Sequence, residues 1–232
     1  MKIDVIAIFP EILEMALHVG ILKRAIDRGL LEVRLHNLRS FAEGNRRTVD
    51  DYPYGGESGM VLKPEPLFAA VRSLEPKGAT RVVFLTPQGK PFNQRMAERF
   101  SLETHLILIC GRYKGIDQRV REKLITDEIS IGDYVLSGGE VPALVFIDAV
   151  GRVLPSALGD YESAQNDSFS RELLDHPHYT RPAEFEGMKV PDVLLSGHHQ
   201  KIMDWKRDRS MEKTAEQRPD LLRKFKNNEV LD

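Results

Sequence analysis

The chain has 232 residues, of which 41% are hydrophobic and 29% charged, the make-up of a polypeptide that buries a core. No apolar run approaches the ~18–20 residues that cross a bilayer, and one cysteine, Cys110, excludes an internal disulfide and any multi-cysteine metal centre. The net charge of −2 does not advertise nucleic-acid binding by itself.

In chain order, Lys2–Phe9 is rich in β-branched residues and ends at Pro10, which predicts a buried strand. The same run is too short for a secretory signal, is broken by Asp4 and lacks a small-residue cleavage site, so a cytoplasmic chain is expected. Glu11–Arg28 carries a helical stripe closed by Gly29. Leu31–Leu38 alternates like a half-buried strand, and the polar stretch Arg39–Gly59 precedes a helix over Glu65–Leu74. A regular series follows: strand Arg81–Leu85, helix Asn93–Phe100, strand His105–Cys110, helix Ile116–Leu124, strand Glu128–Ile131 and helix Pro142–Leu154.

This alternation predicts an α/β fold with a mostly parallel sheet covered on both faces. Ligands of such sheets bind beyond the carboxyl ends of the strands. The segments at those ends are Thr86-Pro87-Gln88-Gly89, Gly111-Arg112-Tyr113-Lys114-Gly115 and Gly132 to Gly139, and all three bear glycine. Neither a Walker cradle nor a dinucleotide fingerprint is present, so a purine nucleoside with a positively charged far end suits these loops better than a nucleotide.

After Pro155 the pattern changes. Ser156–Asp167 is small and polar and reads as a linker; from Ser168 the chain is charged and reads as helical, interrupted by Pro177, Pro182 and Pro191. The expected division is 1–160, an α/β domain; 161–175, a flexible interdomain loop; and 176–232, a small α-helical domain. Between Lys201 and Lys226 nine Lys and Arg stand against five Asp and Glu, which is either a solvated helical face or a phosphate-contacting tail.

Isolated residues read less specifically. His176-Pro177-His178 and His198-His199 lack metal-site spacing and are expected to be solvated. Cys110 ends an apolar strand, where an inert buried thiol is expected. Asp167 reads first as a helix cap and Arg152 as a cation near a helix carboxyl end.

One pattern gathers these features. Gly55-Gly56 with Gly59-Met60, Thr86-Pro87-Gln88-Gly89, Cys110-Gly111-Arg112-Tyr113, the run Ile131 to Glu140 (IGDYVLSGGE), Asp167-Ser168-Phe169 and Pro177-His178-Tyr179-Thr180-Arg181-Pro182 resemble the bacterial tRNA (guanine-N1-)-methyltransferase family, over roughly residues 1–225. The resemblance implies a SPOUT-type α/β fold with a deep trefoil knot, a helical carboxyl-terminal domain and a homodimer with active sites at the subunit interface. It implies transfer of a methyl group from S-adenosyl-L-methionine to ring N1 of the guanosine immediately 3′ of the tRNA anticodon, position 37.

Carried over residue by residue, Asp167 becomes the general base, supplied by the partner subunit, and Arg152 the group that stabilises guanine O6. The donor site becomes Thr86, Pro87, Gln88, Gly89, Gly111, Arg112, Tyr113, Gly115, Ile131, Gly132, Asp133, Tyr134, Val135, Leu136, Gly138 and Gly139. Asp50, Gly59, Ser163 and His178 fall at substrate positions, and the Arg39–Gly59 loop with the basic tail would grip the anticodon stem-loop.

Two departures stand out. Lys114 occupies a position where the family commonly has glutamate, associated with the methionine end of the donor and with magnesium; a lysine cannot ligate magnesium, so metal use is left open. Glu57-Ser58 replaces the usual third glycine and its neighbour. Two rival readings also stay open: a knotted methyltransferase acting on a ribose 2′-oxygen or on ribosomal RNA, and a non-catalytic RNA-binding module.

Overall fold

In the computed structural model, residues 1–157, 167–169 and 173–229 are described, with side chains to residue 225. The chain divides into two compact units, Met1–Gly159 and Asp160–Asp232.

The first unit is built on β1 (Lys2–Ala7), β2 (Glu32–Asn37), β5 (Arg81–Pro91), β6 (His105–Cys110) and β7 (Asp127–Ser130), paired in the order β2-β1-β6-β5-β7, every pairing parallel. A two-stranded antiparallel ribbon, β3 (Asp50–Asp51) with β4 (Val61–Leu62), lies apart from this sheet. Helices α1 (Glu11–Leu17), α2 (Gly20–Asp27), α4 (Gln94–Ser101) and α6 (Glu140–Arg152) cover one face; α3 (Pro64–Ser73) and α5 (Gln118–Leu124) cover the other.

The pleat explains the near-continuous apolar runs of β1 and β6. Ile3, Val5 and Ala7 enter one core cluster while Ile6 and Ile8 enter the other, so neither face can be polar without stranding side chains in a covered layer. The exception is Asp4, a fully buried carboxylate on the second face.

Three expectations need correction. The helical stripe over Glu11–Arg28 is two helices, because Val19 is extended and Gly20 takes a φ of 62°, a conformation cheap only without a Cβ. The break lets Leu13 and Leu17 on α1, and Leu22 and Ala25 on α2, all enter one core cluster. The strand expected to stop at Leu85 continues to Pro91: Leu85 and Lys90 both register with Ile129, so Thr86–Gly89 bulges from the strand rather than following it. The bulge demands glycine at its end, since a Cβ on Gly89 would lie 2.4 Å from the Ile129 nitrogen.

The third correction lies in the second unit. Residues 173–191 are mostly irregular instead of helical and carry a hairpin, β8 (Glu184–Phe185) with β9 (Met188–Lys189). Its two turn residues, Glu186 and Gly187, both have positive φ, the geometry of the tight turns that join twisted strands. Helices follow only from Asp192: α7 (Asp192–Leu195), α8 (His199–Gln217) and α9 (Pro219–Glu229). No helix among the described residues is long and apolar enough to cross a membrane.

Candidate active site

The strands β6, β5 and β7 are neighbours, so the segments that follow β6 and β7 meet the Thr86–Gly89 bulge of β5. They enclose a cleft of about 250 Å³, a little below the usual range for small-molecule sites. Of the predicted donor positions, all line this cleft except Gly89 and Asp133.

Close backbone approaches build the walls. Gly139 donates its N–H to the Gly111 carbonyl at 2.8 Å, and a Cβ there would come 2.7 Å from the Cys110 Cα. Gly111 leaves no room for a side chain either, its Cβ position lying 2.8 Å from the Phe84 ring. Below them Cys110 is buried, and burial pushes its thiol well above the ordinary range, as expected for an inert residue. The segment after β7 braces itself: Ser130 Oγ donates to the Gly132 carbonyl at 3.0 Å, and the Tyr134 hydroxyl donates to the Ile131 carbonyl at 3.2 Å.

The electrostatics of the lining are specific. Among the described residues, the cations on the cleft wall are Arg112, Lys114 and Arg121, and each already has a carboxylate of its own. Arg112 Nε donates to Glu140 Oε1 at 3.0 Å and its guanidinium stacks 4.4 Å over the Phe9 ring. Arg121 is bidentate on Glu128 and also donates to Gln88 Oε1 at 2.7 Å, which fixes the amide that faces the cleft. Lys114 Nζ contacts Glu57 Oε2 at 2.5 Å. With its positive charge matched in this way, the cleft offers backbone groups and apolar surface rather than a phosphate cradle. It suits a donor that carries no phosphate.

Sequence reasoning missed Arg121, Glu128 and Glu140. Glu140 is 1% exposed at the amino end of α6, where a carboxylate complements the helix dipole. A charged residue opening an apolar helix behind two glycines was the available signal.

The substrate positions divide. Asp50 faces Tyr113, whose hydroxyl is pushed up first by burial and then by that carboxylate. Gly59 abuts the Lys114 stem, a Cβ there meeting Lys114 Cγ at 3.3 Å. Both therefore sit against residues that line the cleft. Arg152 ends the 13-residue α6, whose first turn forms the cleft wall, so it lies about 18 Å along the helix axis from Glu140. The single chain does not bring Arg152 to the cleft.

In the second unit, the turn bearing Asp167 is tied down locally: Asp175 N–H donates to Ser168 Oγ at 3.0 Å, Phe169 N–H to the Leu173 carbonyl at 2.9 Å, and Leu174 N–H to Thr214 Oγ1 at 2.9 Å. His178 Nε2 and His176 Nδ1 bond the two oxygens of Asp175. Burial raises the Asp175 carboxyl, but the bonds from His178 and His176 outweigh it and hold the group below its usual range. The expectation of solvated histidines holds for His178, His198 and His199; His176 is the exception, with a side chain 11% exposed. The predicted substrate residue Ser163, and most of the 161–175 loop, lie outside the described residues.

A family model described as tRNA (guanine-1)-methyltransferase TrmD matches residues 1–224. Similar chains include the tRNA (guanine-N(1)-)-methyltransferase of Dictyoglomus turgidum, 56% identical over 224 residues, covering 97% of this chain and 91% of the relative. The protein of that name from Halalkalibacterium halodurans is 54% identical, with 96% and 91% covered. That of Staphylococcus carnosus is 53% identical, with 97% and 92% covered.

Proposed function

The chain belongs to the tRNA (guanine-1)-methyltransferase family, and we propose that it methylates ring N1 of the guanosine immediately 3′ of the anticodon, with S-adenosyl-L-methionine as donor. The observation that carries the reading is the cleft at the ends of β6, β5 and β7, whose lining cations are all matched by carboxylates. A sulfonium-bearing nucleoside fits that environment better than any phosphorylated ligand. When bound there, the donor supplies an electrophilic methyl group. The residues holding it would be Thr86, Pro87 and Gln88 of the bulge, Gly111, Arg112, Tyr113 and Gly115 after β6, and the cleft-lining residues after β7.

Ring N1 of neutral guanine bears a proton and is a poor nucleophile. In the proposed step the Asp167 carboxylate accepts that proton as the N1–methyl bond forms and the sulfur–methyl bond breaks. Arg152 stabilises the negative charge that moves to O6. A positioned base contributes ~10²–10⁴-fold and an oxyanion donor ~10²–10³-fold.

The homodimer belongs to the same proposal. Val141 and Val145, four residues apart on α6, are 50% and 44% exposed, an apolar stripe left uncovered in the single chain. Packing α6 antiparallel against its twofold copy would cover that stripe and bring Arg152 of one protomer to the cleft end of the other. The trefoil knot is supported by the path of the chain, which leaves edge strand β7 and passes back beyond β5 to pair Gly138 with Arg112 at the end of β6. Lys and Arg side chains of α8 and the Arg39–Gly59 loop would bind the anticodon stem-loop in the cytoplasm.

Magnesium does not fit the residues beside the donor cleft at Lys114. At the position that the resemblance associates with it stands the Lys114 ammonium, and the carboxylate beside it, Glu57, is engaged by that ammonium. No step is routed through a metal. The deciding experiment is methylation of a tRNA transcript with guanosine 3′ of the anticodon, with and without magnesium, and mapping of the methylated atom. Product at N1 supports the reading; product at a ribose oxygen, or none, overturns it.

A further inference from the structure

The loop between β3 and β4 is fastened to the cleft wall at several points. Lys114 N–H donates to the Met60 carbonyl at 3.0 Å, and Leu62 N–H to the Gly115 carbonyl at 3.0 Å. Outside these backbone bonds, the Lys114 side chain lies along Gly59 and ends on the Glu57 carboxylate, 57 residues earlier in the chain. Gly59 has a φ of 100° and no Cβ, so the lysine stem can lie against its backbone. The two positions at which this chain departs from the family pattern are thus partners of each other.

Stability is a poor explanation for this pair. The side chains are 42% and 69% exposed, and exposed ion pairs contribute little to folding. Nor does the lysine stand ready for an anion, because the Lys114 hydrogen bond and charge already hold the Glu57 carboxyl below its usual range. What the contact does is geometric: it adds a side-chain tether between the loop and the cleft wall, with the lysine stem lying against Gly59.

We propose that Glu57 is a positioning residue, which through Lys114 clamps the β3–β4 loop carrying Gly59, and with it the ribbon strand that bears Asp50, onto the donor cleft, so that guanosine and methyl donor are held in one register. The inference rests on the proposed function for what the loop receives, but the clamp itself is a property of the chain alone.

The test uses full-length wild type, Glu57→Gln, Glu57→Lys, Lys114→Glu and the swapped double variant. Backbone amide exchange, tRNA KM and kcat, and donor binding by calorimetry are measured on each. In Glu57→Gln, exchange at Lys114 and Leu62 should quicken and the tRNA KM should rise about threefold to fivefold, the scale of one exposed ion pair. Donor affinity of Glu57→Gln, whose site lies off the cleft wall, should stay within about twofold. Each single reversal should do worse than Glu57→Gln, and the double swap should recover most of the loss, a non-additive cycle.

Unchanged exchange, an additive cycle, or faster exchange with an unaltered tRNA KM each overturns the clamp. Wild-type protein that binds no donor and methylates no tRNA would instead defeat the proposed function, and the clamp would then be judged on exchange alone.

Discussion

His105 Nε2 lies 2.7 Å from Asp4 Oδ2, joining the first residue of β6 to a carboxylate buried in β1. His36 Nε2 meets the other oxygen at 2.6 Å from β2, and Lys2 Nζ approaches at 2.8 Å, so one acid ties three adjacent strands. Thr80 Oγ1, which accepts from the Lys77 N–H, lies 3.2 Å from His105 Nδ1 and so holds the other side of the same ring.

Removing this acid should therefore cost more than any surface change. Asp4→Ala strands three donors around a buried gap, and the expected loss is about 3 kcal/mol by chemical denaturation. Burial raises the Asp4 carboxyl, but the bonds from Lys2, His36 and His105 outweigh it and the net shift is downward. A group lowered on folding adds stability that is full above its unfolded value near ~4 and fades as pH falls through the folded value. Wild-type stability should drop between about pH 4 and lower pH more steeply than that of Asp4→Asn; parallel profiles would remove Asp4 from the account.

The catalytic assignments predict loss of rate without loss of donor. Asp167→Ala should reduce single-turnover methylation by about 10²–10⁴-fold and Arg152→Ala by about 10²–10³-fold. Calorimetry should find donor affinity within a few-fold of wild type in both. Normal turnover would leave Asp167 a residue of its local turn and Arg152 an ordinary partner of the α6 carboxyl end.

Gly139→Ala tests the cleft wall. The added methyl would sit 2.7 Å from the Cys110 Cα, a backbone atom that cannot rotate away. The segments after β6 and β7 must separate, an overpacking cost of about 1–3 kcal/mol. Donor affinity should fall about tenfold or more, while the secondary structure measured by circular dichroism stays intact.

Shared active sites make a further prediction. Gly139→Ala damages the cleft and Asp167→Ala the base, so co-expressed and differently tagged variants should form a heterodimer in which one of its two sites has both parts sound. That heterodimer should regain up to about half of wild-type activity, whereas each homodimer stays inactive. Val145→Glu, which places a charge on the exposed stripe of α6, should shift sedimentation toward monomer and abolish turnover. Complementation that fails while dimers persist would place both parts of the site on one chain.

Much of the first unit was legible because its signals are local. The apolar runs Lys2–Ala7 and His105–Cys110 and the closing Gly29 depend on residues within a few positions of one another, so periodicity and helix-stop chemistry reveal them. The glycine-bearing strand ends were visible for the same reason, and with them the place of the cleft. In the second unit three prolines obscured a hairpin whose turn, Glu186-Gly187, is a weaker two-residue signal than Asn-Gly or Asp-Gly.

The sequence by itself therefore determined the αβ alternation, the glycine loops and the family pattern. Tertiary structure alone decided what those loops offer a ligand, because Arg112 finds Glu140 across 28 residues and Lys114 finds Glu57 across 57 only after the sheet has brought distant segments together. The same holds for the bulge over Ile129 and for the distance between Arg152 and the cleft. Charge pairing and backbone contact fall off with distance in space, which the order of residues does not record until the core has closed around them.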